Sequence, residues 1–158
     1  MGKGSRYCQE LGGILDDIHK GNFKKADEEM NKQKAIDYWF NVANYDLKTA
    51  GVMFNGGRYL YVGFMCHQVV EKALKGLFVK QHNKIPPYTH NLLTLCAELE
   101  IELTEEQKDF FTELNPFNIK ARYPEMKEKM GKIINKKKAD ALLKKTKDVY
   151  KWLKLKKK

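Results

Sequence analysis

A chain of 158 residues, 42% hydrophobic and with a net charge of +10, is long enough for one ordinary domain with its own core. It shows no leader with a charged start, apolar middle and small-residue cleavage site, so export is not expected, and its longest apolar runs fall far short of a membrane span. Cys8, Cys66 and Cys96 lie far apart and form no C-x-x-C pair, which fits free thiols in a reducing cytosol rather than a disulfide framework.

The positive charge is confined to one end. Met126 to Lys158 holds fourteen Lys against Glu128, Asp140 and Asp148, so the remainder of the chain is close to neutral. Such a field can attract nucleic acid, nucleotide phosphate or an acidic partner. A solvated helix face with a frayed Lys tail, favoured by the macrodipole, gives the same pattern.

Residues 1–29 hold Gly2, Gly4, Gly12, Gly13 and Gly21 and one short amphipathic stretch around Leu11, Ile14, Leu15 and Ile18. They read as an extension, either a short docking helix or disordered, and residues 30–158 as the domain. From Lys34, Ile36, Phe40, Ala43, Leu47, Ala50 and Phe54 recur at spacings of 4, 3, 4, 3, 4. A second stripe, Trp39, Val42, Tyr45, Thr49 and Val52, predicts a helix packed on more than one neighbour. Asn55-Gly56-Gly57 ends it.

The next helix is predicted from Arg58 to Gln81. Val62, Met65, Val69, Ala73 and Leu77 form its stripe, and Glu71 and Lys75 stand in the favoured order for an i,i+4 pair. Asn83 and Ile85-Pro86-Pro87 break it. Thr89 is placed to cap a short helix from His90 to Glu100. Thr104 and Gln107 form a capping box opening another, expected to stop near Leu114 because Asn115-Pro116 follows. The last helix, Lys136 to Leu155, should bury Ala139, Leu142, Leu143, Thr146, Val149, Tyr150 and Leu153. No run of alternating β-branched residues predicts a strand. The fold class is all-α, an antiparallel four- or five-helix up-and-down bundle. There is no internal repeat and no phosphate-binding glycine loop, and no cofactor is expected.

Three segments in order carry a resemblance. They are Cys66-His67-Gln68-Val69-Val70-Glu71-Lys72-Ala73-Leu74-Lys75, then Pro86-Pro87-Tyr88-Thr89-His90-Asn91-Leu92, then Ala121-Arg122-Tyr123-Pro124. Together they resemble the HEPN domain family (higher eukaryotes and prokaryotes nucleotide-binding), in its prokaryotic Arg-Tyr-Pro form, over about Lys34 to Leu155. The resemblance implies a four- or five-helix bundle, commonly a homodimer. It also implies a place beside a minimal nucleotidyltransferase in a toxin–antitoxin-like two-component system, with nucleotide or RNA as ligand. Some members are metal-independent ribonucleases that carry an Arg followed a few residues later by a His. Here His67 lies nine positions after Arg58 and no His follows Arg122, so no catalytic pair is assigned; the alternatives are a metal-independent ribonuclease toxin with a non-standard site or a scaffold that binds no ligand.

The candidate binding residues are Gln68, Glu71, Lys72, Lys75, His90, Arg122 and Tyr123. The first four form one broad arc of the central helix at i, i+3, i+4 and i+7. Lys72 or Lys75 could meet a phosphate while Glu71 orients a base or ribose hydroxyl; equally, the arc could be an internal network with Glu71 bonded to Arg122 or a backbone amide. His90 could contact phosphate at a helix N-terminus or serve as a cap. Arg122 suits a bidentate carboxylate or phosphate, and Pro124 holds Tyr123 extended. His67 and Glu71, four apart, are two potential ligands and not a metal site, so no metal is expected.

Overall fold

The computed structural model describes residues 32–120, 123, 125, 129, 132 and 134–158. The predicted extension 1–29, Cys8 and Arg122 lie outside the described residues. Within them the chain forms five helices: α1 (Lys32–Asn55), α2 (Tyr59–His82), α3 (Leu92–Glu98), α4 (Glu105–Lys120) and α5 (Lys136–Lys157).

Ile36, Phe40, Ala43 and Ala50 of α1 are buried against α2. A Schellman turn ends α1: Arg58 N–H donates to Met53 O at 2.8 Å and Gly57 N–H to Phe54 O at 3.1 Å, with Gly57 at φ +70°. The tight turn sends α2 back antiparallel. α2 is the centre of the molecule, with every residue from Cys66 to Val79 buried except Lys72. Two glycines allow its neighbours to approach. A Cβ on Gly63 would stand 2.5 Å from the Phe117 ring, and one on Gly76 2.8 Å from Phe40. α2 runs parallel to α5, since Cys66 lies beside Thr146 and Lys80 reaches Lys156 O, and α4 runs antiparallel to both, since Glu106 meets Lys145 and Glu113 meets Lys138. α5 closes the bundle onto α1, where the buried Tyr150 hydroxyl donates to Phe40 O at 3.2 Å. α1, α2, α4 and α5 therefore form an up-down-up-down bundle, with short α3 laid across α2 and α4.

Three sequence readings need correction. First, α4 does not stop at Asn115-Pro116 but passes through Pro116 to Lys120. Proline inside a helix costs about 3 kcal/mol. Continuing the helix buries Phe117 on Gly63 and brings Asn118 to Gln68, and tertiary packing of that kind outweighs the local penalty. Second, α3 begins at Leu92, and its cap is Asn91 rather than Thr89. Asn91 Oδ1 accepts from Leu93 N–H and Thr94 N–H, while Thr89 Oγ1 accepts from Asn91 N–H. Third, α1 packs on both α2 and α5 as its two stripes predict, but the outer part of the second stripe stays uncovered, with Tyr45 72% and Val52 66% exposed. The capping box forms as predicted, with Gln107 N–H donating to Thr104 Oγ1 at 3.2 Å and Thr104 N–H to Gln107 Oε1 at 3.0 Å.

Candidate functional site

Two turns of α2 place Gln68, Glu71 and Lys75 inside the protein, at 8%, 2% and 8% exposure. Buried polar groups need partners, and here they find them in two threads. In the first, Lys72 Nζ donates to Gln68 Oε1 at 2.6 Å and Gln68 Nε2 to Asn118 Oδ1 at 3.2 Å. The second centres on Glu71. Lys75 Nζ donates to Glu71 Oε1 at 2.7 Å, and His90 Nδ1 lies 3.1 Å from both carboxylate oxygens. Burial pushes the Glu71 carboxyl up, but Lys75, then Lys72 and His67, outweigh it and hold the group below its ordinary value. Glu71 is thus a buried, ionised carboxylate. Trp39 of α1 closes over the pair, with Lys75 Nζ 5.9 Å from its ring centroid.

His90 is held twice. Its backbone carbonyl lies 2.9 Å from His67 Nε2, and its ring is anchored on Glu71. The hydrogen-bond network assigns the tautomers. His67 Nε2–H donates to the His90 carbonyl, leaving its buried Nδ1 without a partner, 3.6 Å from Glu71 Oε2. Burial lowers the His67 pKa to about 4, against the opposing pull of Glu71 and the carbonyl, so the ring is neutral at pH 7. His90 donates through Nδ1–H, and its Nε2 makes no hydrogen bond among the described residues. Its side chain is 50% exposed, so this ring carries the buried carboxylate's influence to the surface.

The structure therefore brings Gln68, Glu71, Lys72, Lys75 and His90 together and leaves Tyr123 at the surface, 58% exposed. Arg122, as a partner for Glu71, lies outside the described residues. Lys75, read as a phosphate contact, is committed to Glu71. Sequence reasoning missed Asn118, Asn115 and Asp46. Asn115 Oδ1 accepts from Leu92 N–H, and its Nδ2 donates to Asn91 Oδ1, which fixes the His90 turn on α4. Asp46 of α1 faces the arc; burial raises its pKa, with Lys72 opposing and Glu71 reinforcing. Asp46 had a signal, for it interrupts the apolar stripe of Trp39, Val42 and Thr49 at helical spacing. Asn118 had none, since the helix carrying it should have ended before it.

Among the described residues no group of three or more His, Cys, Asp or Glu could hold a metal ion. Cys66 and Cys96 are free and buried, and burial pushes each thiol up to about 12, so neither is a nucleophile. No helix among the described residues is long and apolar enough to cross a membrane. Two surface grooves, of about 350 and 480 Å³, lie away from the arc. One is lined by Phe110, Lys145 and Trp152, the other by Leu77, Lys80 and Ile101. The arc itself is packed, and the weight of charge and chemistry there outranks concavity as a guide to a site.

The sequence matches the family model of the HEPN domain over residues 36–157. No curated protein matches. The fold is similar to that in the crystal structure of TT1696 from Thermus thermophilus, with 22% identity and a TM-score of 0.67 over 77% of this chain and 97% of that one. The matched residues span all five helices and the whole polar arc, and the chain belongs to the HEPN domain family.

Proposed function

We propose that the protein is the HEPN half of a toxin–antitoxin-like two-component system and works in the cytoplasm by binding. Its partner is a nucleotide, an RNA or a minimal nucleotidyltransferase protein. The carrying observation is the saturation of the arc: Lys75 is bonded to Glu71 and Lys72 to Gln68, while Glu71 also takes His90. A carboxylate so engaged is a scaffold for a binding edge rather than a base that meets substrate. That edge is His90, with Lys72 and the exposed Tyr123 as candidate companions.

The protein acts as a homodimer on this reading. The outer face of α1 suits the contact, since exposed Tyr45 and Val52 with half-buried Val42 and Thr49 form an uncharged stripe.

Isothermal titration with ATP, GTP, a short RNA and a purified minimal nucleotidyltransferase tests the binding. The expected result is saturable heat with one of them, reduced at least tenfold in affinity by His90→Ala with the fold intact. Heat from none of the four sinks the reading.

One observation favours a second reading, a metal-independent ribonuclease with a non-standard site. A buried carboxylate holding a half-exposed imidazole through Nδ1–H is the orientation a proton-transferring His needs. Cleavage of varied RNAs in the presence of chelator, abolished by His90→Ala, would establish it; intact RNA would remove it.

A further inference from the structure

Four of the ten lysines of α5 pair with carboxylates. Lys138 reaches across to Glu113, Lys145 to Glu106 at 3.8 Å and Lys157 to Asp37 at 2.9 Å; Lys144 pairs with Asp140 at 2.7 Å. Among the described residues Lys136, Lys137 and Lys156, near the helix ends, and Lys147, Lys151 and Lys154 have no carboxylate within 4 Å; the last three are exposed, with Lys154 Nζ also 5.5 Å from the Tyr150 ring centroid. These three stand at i, i+4 and i+7, one row about 10 Å long on the helix surface. The macrodipole favours cations only in the last turn, which accounts for Lys154 but not for Lys147 or Lys151. Neighbours three and four apart of the same sign repel, so the row opposes the helix that carries it.

We infer that the Lys147–Lys151–Lys154 row binds the phosphodiester backbone of a nucleic acid, independently of sequence and separately from the His90 edge. Its composition selects this partner. Protein interfaces are depleted in Lys and rest on aromatic or Arg anchors, and the row is lysine alone. Membrane surfaces take amphipathic helices through an apolar face, and the apolar face of α5 (Leu142, Leu143, Val149, Leu153) is already buried in the bundle. A regular line of solvated point charges matches a flexible polyanion, where attraction comes from release of condensed counterions.

The test is fluorescence anisotropy of the full chain with a labelled 20-nucleotide oligothymidylate and a duplex of the same length, from 50 to 200 mM salt. Three variants enter it: K147Q/K151Q/K154Q, the arginine version K147R/K151R/K154R, and the charge-matched control K138Q/K144Q/K145Q. Wild type and the arginine version should bind in a salt-dependent way. The row variant should lose about tenfold in affinity at 100 mM salt, and its salt slope on the single strand should flatten by about 2, the three contacts removed. The control should keep the wild-type slope. Circular dichroism confirms the fold of each. Equal losses in the two glutamine triples would make the effect diffuse charge and overturn the row. So would absence of wild-type binding, or tighter binding to polyglutamate than to either oligonucleotide at equal salt. Nucleotide heat at the His90 edge is read in a separate experiment, so either can fail alone.

Discussion

Lysine plays opposite parts in α2 and α5. In α2, Lys75 is buried, bonded to a buried carboxylate and covered by an indole ring. In α5, Lys147, Lys151 and Lys154 are exposed, with no carboxylate partner among the described residues and only the Tyr150 ring near Lys154. A buried ion pair depends on both members, because removing one leaves a charge in a medium that solvates it poorly. An exposed cation depends on nothing in the fold and is available to something outside it. The first lysine therefore belongs to stability and the second set to encounter. The difference lies in what surrounds each helix, because both are long and lysine-bearing.

Breaking the α2 network should produce the largest effect. Glu71→Gln keeps the shape but strands Lys75 at 8% exposure, and a broken buried pair typically costs about 3–5 kcal/mol. Urea denaturation at pH 7 checks it. A loss below about 1 kcal/mol would mean that water reaches the pair, and the contrast with α5 would collapse. Acid acts on the same cluster. His67 is neutral in the fold to about pH 4, whereas an unfolded His titrates near 6.5. The unfolded state therefore binds more protons between those values, and stability falls as pH drops through that window, by about 1.4 kcal/mol per unit at most. Glu71, with its lowered pKa, loses its contribution further down, as pH falls below the ordinary carboxylate range. His67→Gln should flatten the upper part of the curve and leave the lower. Two denaturation series, wild type and His67→Gln, from about pH 2 to 7 separate them.

Those same residues mark how far sequence could go. Periodicity was enough for five helices, and the i,i+4 spacing was enough for the Glu71–Lys75 pair, because both are local rules of one helix. The His90 anchor needed the turn after α2 to fold back over it, and that turn is set by Asn91 and Asn115, twenty-four positions apart and bonded at 3.2 Å. No local rule links them. Pro116 misled for the complementary reason, since a true local penalty was overruled by Phe117 and Asn118 meeting α2. The exposed half of the second α1 stripe was illegible in another way. Apolar spacing reports that a face wants cover, not whether the same chain supplies it.

That uncovered face gives a test on the outer surface with a smaller effect on stability. Tyr45→Arg with Val52→Asp should leave the monomer within about 0.5 kcal/mol of wild type, because both side chains are mostly in water. The pair should nevertheless halve the mass seen by sedimentation equilibrium. A wild-type protein that sediments as a monomer would remove the dimer, and an unchanged dimer in the variant would move the contact elsewhere.

The smallest expected effect has the opposite sign to the first. Lys147→Glu places a carboxylate three residues after Lys144 and four before Lys151, with no acidic residue at either spacing on the other side. Two repulsive pairs become attractive ones, and the Glu-before-Lys order at i,i+4 is the favoured one, each pair contributing about 0.2–0.5 kcal/mol. The helix should gain about 0.5 kcal/mol, seen as a small rise in melting temperature that shrinks at 1 M salt as screening takes over. The same substitution should weaken oligonucleotide binding. A gain in stability with a loss of binding is the signature of a charge kept for a partner at the fold's expense. If Lys147→Glu instead destabilised the protein, the row would belong with Lys75, among the lysines that hold the bundle together.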